Sequence, residues 1–202
     1  MKKSAVLIFV LLFSLLHGGL SASTETQRLR GVIDAALEVV YGECCVELPL
    51  EEKEARVHAI LEAEYDLNVI IRRSIGRNWK LMNEQEQQQV LDLVKQLVVR
   101  TYVNSMQGTA RPEVELGDEI LISDKRMEIP STIKLGETVY SVLYRLGKMR
   151  SGWQIYDIVA EDISVVSNYR QQIDDHFRKG NGSELIEKLT EQLTSDDLNE
   201  KL

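Results

Sequence analysis

Cysteine is nearly missing from this chain: there are two, Cys44 and Cys45, and they are neighbours. Adjacent Cα atoms lie about 3.8 Å apart, short of the ~4.4–6.8 Å of an ordinary disulfide. A bridge between them would be strained, so no disulfide framework is expected. The pair reads equally as two small buried side chains or as the origin of an intermolecular bond. Histidine is as scarce. Beyond the first residues only His58 and His176 occur, both on charged stretches and neither at ligand spacing to the cysteines, so no metal site is expected and both read as solvated. No basic block occurs either. The formal charge is −8, and about −10 once Lys2 and Lys3 are set aside. That balance argues against nucleic acid as a main partner and against tight adsorption to anionic lipid, so any membrane contact is expected to be transient.

Only one long apolar run is present. It spans Ala5 to Leu16, broken at Ser14, preceded by Lys2 and Lys3 and followed by small residues from His17 to Ser23. A positive start, a short apolar stretch and a small-residue cleavage zone read as a secretory signal peptide. The run is too short to span a bilayer comfortably, and it ends without a cysteine for lipid attachment. Residues 1–22 are therefore expected to be removed, leaving 23–195 as one domain and 196–202 as a frayed acidic tail. Roughly 180 residues suffice for a real core.

What is abundant is helical periodicity. Leu29, Val32, Ile33, Ala36, Leu37 and Val40 recur at helical intervals between Thr24 and about Cys45. After Pro49 a second helix is predicted over Glu51–Tyr65, and a third over Leu67–Ile75, capped by Asp66 and ended by Gly76. Asn83 with Glu86 three residues on predicts the start of the longest helix. Its apolar stripe runs Val90, Leu91, Val94, Leu97, Val98, Thr101, Tyr102, Ser105. Past Pro112 the pattern changes to strands: Val114–Leu116, Ile120–Ser123, Met127–Ile129, Thr132–Lys134, Thr138–Leu146 and Trp153–Ala160. The last two are joined by a turn at Lys148–Gly152 and should pair as a hairpin. Alternation puts Tyr140, Val142, Tyr144 and Leu146 on one face, with Val139, Leu143 and Arg145 on the other. In the following strand it puts Trp153, Ile155 and Val159 opposite Tyr156, Ile158 and Ala160. Helical spacing returns from Ile163 to Phe177 and again from Ser183 to Leu193.

Helices, then an antiparallel sheet, then helices predict an α+β fold with helices gathered on one face of a curved sheet. Such a fold encloses a cavity wherever the helices stop short of closing the concave face.

Several stretches resemble one family closely. Ile75-Gly76-Arg77-Asn78-Trp79, Asn83-Glu84-Gln85-Glu86-Gln87-Gln88-Gln89 and Leu97-Val98-Val99-Arg100-Thr101-Tyr102 are similar to the central helices of the MlaC family. Those are the periplasmic phospholipid-binding proteins also called toluene-tolerance proteins. Trp153-Gln154-Ile155-Tyr156-Asp157-Ile158-Val159-Ala160-Glu161-Asp162-Ile163-Ser164 resembles the family's segment W-x-x-Y-D-x-x-x-E-G-x-S. Asn168-Tyr169-Arg170 and Glu184-Leu185-Ile186-Glu187-Lys188-Leu189 continue it. Two departures stand out. Asp162 occupies the usual Gly position, at the strand-to-helix corner, and Met106-Gln107-Gly108 replaces a tyrosine-glycine pair after the long helix.

The resemblance implies a nuclear-transport-factor-2-like fold with acyl chains held inside and the head group near the surface. It also implies a carrier of glycerophospholipid between an outer-membrane lipoprotein–porin complex and an inner-membrane ABC transporter, with no cofactor beyond the lipid cargo. A related branch implies a hopanoid or other isoprenoid cargo instead. Lining candidates are Leu67, Ile70, Ile71, Leu91, Val94, Val98, Tyr102, Val142, Tyr144, Ile155 and Ile158, against the plainer reading that each simply fills core. Arg145 is the polar candidate, matching an aromatic-Arg pair of the family, where it would meet a phosphate or a partner's carboxylate; the plainer reading is a surface ion pair. Arg100 and Arg77 are weaker candidates, read as solvated or paired with a nearby Glu. Asp157 with Glu161 keeps open an isomerase or lyase in the same cavity, although no Ser/His/Asp, Cys/His or metal arrangement accompanies them. A cargo-free adaptor with a filled pocket is the third reading.

Overall fold

The computed structural model describes residues 24–195. The expected export segment, 1–22, and the acidic tail, 196–202, lie outside the described residues.

Local chemistry sets most boundaries. The first helix, α1, spans Glu25–Tyr41 and opens on a capping box, in which Thr24 and Gln27 each accept the other's backbone N–H. It stops at Tyr41, short of the cysteines, which follow in a turn as free thiols, Cys44 exposed and Cys45 buried. Helix α2 (Leu50–Glu64) begins after Pro49, whose missing N–H is harmless at a helix start. Asp66 caps α3 (Leu67–Ile75) through the Asn68 N–H. Gly76, at φ +61°, ends α3 and leads into a 3₁₀ turn, Gly76–Leu81. The longest helix, α4 (Glu84–Met106), opens on a reciprocal Asn83–Glu86 box.

The sheet follows as β1 (Glu113–Leu116), β2 (Ile120–Ser123), β3 (Arg126–Leu135), β4 (Thr138–Met149), β5 (Gly152–Ala160) and β6 (Ile163–Ser164), and the chain closes with α5 (Val165–Phe177) and α6 (Gly182–Thr194). All pairings are antiparallel, in the order β1-β3-β4-β5-β6, with β2 also on β3.

Three details depart from the pattern read in the sequence. The segments on either side of Pro130 form a single strand, β3. The Pro130 carbonyl accepts from the Gly117 N–H at 2.8 Å, and the N and C=O of a strand residue point the same way. The missing proline N–H therefore falls in the gap between β1 and β2, where no ladder bond is lost. Second, Glu161 (φ 47°) and Asp162 (φ 64°) make a two-residue turn of the primed type between β5 and β6. Left-handed backbone at Asp162 explains why glycine suits that position.

The third detail is a bulge. Arg145 pairs with Asp157 and Leu146 with Ile155, so Tyr156 is an extra residue. Gly147 makes room for it: a Cβ there would lie 3.3 Å from the Tyr156 ring. The bulge reverses the parity of β5. Ile155 and Ile158, expected on opposite faces, lie on the same one, together with Val142, Tyr144 and Leu146 of β4 and Met127, Ile129 and Ser131 of β3. Val159 joins Asp157, Arg145 and Glu128 on the other face. The first, apolar face is termed inner and the second outer.

Three separate apolar cores result. One joins α3, α4, α5 and α6 around Ile75, Val90, Leu185 and Leu189. Another seats Leu29 and Val32 of α1 and Tyr65 on the inner sheet face at Met127, Ile129 and Leu146. The third joins α1, α2 and α4 through Ala36, Val57, Val99 and Val103. None of the three joins α4 to the sheet.

Candidate functional site

Between the closed cores, α4 and the inner sheet face carry apolar residues that lie at the cores' margins. Positions 91, 94, 98 and 102 stack along one side of α4 because side chains recur every 3.6 residues. Leu91 is buried within the first core, as is Ile71 of α3, at 7% and 5% exposure. Leu67, Ile70 and Val94 pack only partly against it. Val98, one turn further on, is 48% exposed. Helix α4 thus begins in a closed core and leaves it.

The sheet shows the same gradient. On β4, Leu146 is fully buried, Tyr144 is half-buried and Tyr140 is 41% exposed. Ile155 and Tyr144 sit at the margin of the α1–sheet core, and Ile158 is half-buried outside it. Val142 is buried yet belongs to none of the three cores.

Three tyrosines lie on or beside these faces. Burial pushes the Tyr144 phenol up to about 12. Burial also pushes Tyr102 of α4 up to about 12, with the fields of Tyr41 and Tyr144 adding to it. Tyr65, just past α2, is pushed higher by burial, against the opposing Arg28 guanidinium 4.2 Å above its ring. Tyr144 adds to this shift also. The Tyr65 hydroxyl and the Ser131 Oγ are buried without a hydrogen-bond partner among the described residues. Neither was singled out in the sequence. Ser131 sits beside Val142 in register, so the alternation of β3 would have disclosed it had Pro130 not split that strand.

Arg145 is not part of these walls. Opposite Asp157 and Glu128 in register, it points to the outer face, where its Nε donates to Glu128 at 3.0 Å and its Nη1 to Asp157 at 3.3 Å. Strand parity separates it from Tyr144, and two carboxylates already occupy its guanidinium. Arg100 donates to the Leu193 carbonyl at the end of α6.

Asp157 is fully engaged as well. Its carboxylate accepts from the Ser164 hydroxyl at 2.9 and 3.0 Å, from the Val166 N–H at 3.2 Å and from Arg145. Ser164 in turn caps α5 through the Ser167 N–H. Asp157 therefore fixes the junction of strand and helix. Glu161, in the turn after β5, accepts from the Ser141 N–H and does not contact Asp157. Two carboxylates committed in this way, one on the outer face and one in a turn, do not form an acid–base pair. Among the described residues no cluster of three or more His, Cys, Asp or Glu could hold a metal, and no helix is long and apolar enough to cross a membrane.

This arrangement of helices on one face of an antiparallel sheet is shared with a solved protein of Ralstonia solanacearum, described as a phospholipid-binding protein in complex with a phospholipid. The two superpose with a TM-score of 0.70, covering 84% of this chain and 97% of that one at 20% identity. A cystatin-like-fold domain of unknown function from Nostoc punctiforme gives a TM-score of only 0.28, over 49% of this chain and 65% of that one at 18% identity, and carries no argument. No curated protein matches the sequence. The family model described as MlaC protein matches residues 47–191. The chain belongs to the MlaC family.

Proposed function

We propose that this protein is a non-enzymatic phospholipid carrier of the periplasm, taking glycerophospholipid between an outer-membrane lipoprotein–porin complex and an inner-membrane ABC transporter. The observation that carries this reading is the pair of incompletely buried apolar faces that no core joins: half-buried Val94 and Tyr102 with exposed Val98 on α4, and half-buried Tyr144, Ile155 and Ile158 on the sheet. Family membership supports it, as does the fold shared with a protein that holds a phospholipid. The sequence pattern of residues 1–22 supports export.

The physics suits a shuttle. Two chains of about 16 carbons recover on the order of 20–25 kcal/mol on leaving water, at about 0.8 kcal/mol per CH₂. Relative to a bilayer the transfer is nearly neutral, because both hosts are apolar. A loaded carrier therefore keeps its cargo in transit, and the docking partner decides where it is released. Against an isomerase or lyase stands the full engagement of Asp157 by Ser164, Val166 and Arg145.

Native mass spectrometry of the protein purified from its own host tests the assignment. A co-purifying phospholipid is the expected result. An isoprenoid would move the protein to the hopanoid branch, and repeatedly lipid-free protein would overturn the carrier reading in favour of an adaptor.

A further inference from the structure

The end of α3, the 3₁₀ turn and α5 meet around a surface depression of about 560 Å³ lined by Arg73, Gly76, Arg77, Arg170 and Asp174. None of the apolar wall residues takes part in it. Three arginines and one aspartate line it, in a chain whose formal charge is −8.

The three arginines are held differently. Arg170 is structural. Its Nε donates to the Arg73 carbonyl at 3.0 Å, its Nη2 donates to the same oxygen, and the arrangement ties α5 to the end of α3. Gly76 is required beneath it, since a Cβ there would stand 3.1 Å from the Arg170 Nε at a backbone φ of +61°. Arg77 reaches Asp174 at 3.2 Å, but its side chain is 77% exposed, and the other Asp174 oxygen already accepts from Asn78 at 2.6 Å. Arg73 has no carboxylate partner among the described residues. Its guanidinium lies 4.6 Å over the ring of Tyr156, the bulge residue of β5. Stacking fixes the plane of a guanidinium and leaves its N–H edge free to donate.

The negative end of the α3 dipole offsets part of this charge, yet one carboxylate among three arginines leaves a surplus of two positive charges around a concave surface. We infer that this depression is a binding site for a phosphate-class oxyanion, with Arg73 and Arg77 as donors and Arg170 as the fixed floor. Guanidinium edges match two oxygens of such a group at once, and a depression of about 560 Å³ leaves room for whatever the phosphate is attached to. The site lies outside the apolar walls and does not depend on lipid carriage.

The test is an amide NMR titration of the purified protein at low ionic strength with inorganic phosphate, with acetate as the carboxylate control. Saturable shifts confined to Arg73–Arg77 and Arg170–Asp174 are expected with phosphate. They should weaken roughly tenfold or more in the double variant R73Q/R77Q. They should also weaken when salt rises from about 0.01 M to about 0.15 M, which cuts the Debye length from about 30 Å to about 8 Å. Both substituted side chains are exposed, so an unchanged melting temperature confirms that the variant is folded. Competition by phosphatidylglycerol-containing vesicles, and not by pure phosphatidylcholine vesicles, assigns the oxyanion to a lipid headgroup. Absence of competition assigns it to a free phosphate. Equal binding of acetate, shifts that persist in R73Q/R77Q, or no shift at all would overturn the site.

Discussion

The helical end of the molecule and the inner face of its sheet are made of similar residues and finished differently. At the helical end, Ile75, Val90, Leu185 and Leu189 are exposed by 2% or less and interlock across three helices. On the sheet side, Tyr144, Ile155 and Ile158 are left half-buried, and Val98 faces outward from α4 with nearly half its surface free. Apolar surface left unpaired forgoes about 25 cal/mol per Å². Open walls beside a closed core are what a host for an apolar guest requires, with the helical end supplying the stability that the walls withhold.

The contrast can be broken by substitution. Leu185→Ala in the closed core should cost about 3 kcal/mol, read as a shift of the urea midpoint at constant slope. A cost below about 1 kcal/mol would mean that this core is as loose as the walls. Asp157→Asn should cost about 2 kcal/mol, because the Ser164, Val166 and Arg145 donors lose a charged acceptor, and a crystal structure should show the β6–α5 corner displaced. Arg145→Glu would bring a third carboxylate between Glu128 and Asp157, so it should lower stability and leave bound lipid unchanged.

Asp162→Gly should raise stability by about 1 kcal/mol, since glycine relieves the left-handed φ of 64°, measured by thermal unfolding. Alkaline titration followed by tyrosinate absorbance should show Tyr102 and Tyr144 ionising near 12, two steps that vanish in the Phe variants. An unfolded phenol ionises near about 10, so folding is favoured by these groups below that pH and the contribution fades as pH rises through 12. The smallest effect on stability belongs to Val98→Ala, within about 0.5 kcal/mol. Val98→Glu should keep the fold and lose co-purifying lipid, because a carboxylate on the wall opposes an acyl chain.

Much of the helical half was legible because periodicity and caps agree. Asp66, Gly76 and the Asn83–Glu86 pair mark the ends of α3 and the start of α4 with chemistry that acts within a few residues. The sheet was less so. Pro130 looked like a break because whether a proline fits a strand depends on what lies across from it, here the gap at Gly117. The Tyr156 bulge was invisible because parity along β5 is settled by pairing with β4 and by the small Gly147. Arg145 was placed correctly relative to Tyr144 by alternation, but which face would carry the helices is a tertiary fact. The depression lined by Arg73, Arg77 and Arg170 joins residues nearly a hundred positions apart, beyond any local signal.

Helix α1 precedes the stretch matched by the family, which begins at residue 47, yet its polar contacts reach far along the chain. The Thr26 N–H donates to Glu119, Arg30 to the Val114 carbonyl and Arg28 to the Trp153 carbonyl. Helix α2 is available to α1 early, but the far contact with Trp153 cannot form until the β4–β5 hairpin exists. Such distant closures are slow, so Leu29 and Val32, which pack on Met127, Ile129 and Leu146, stay uncovered until the sheet has formed.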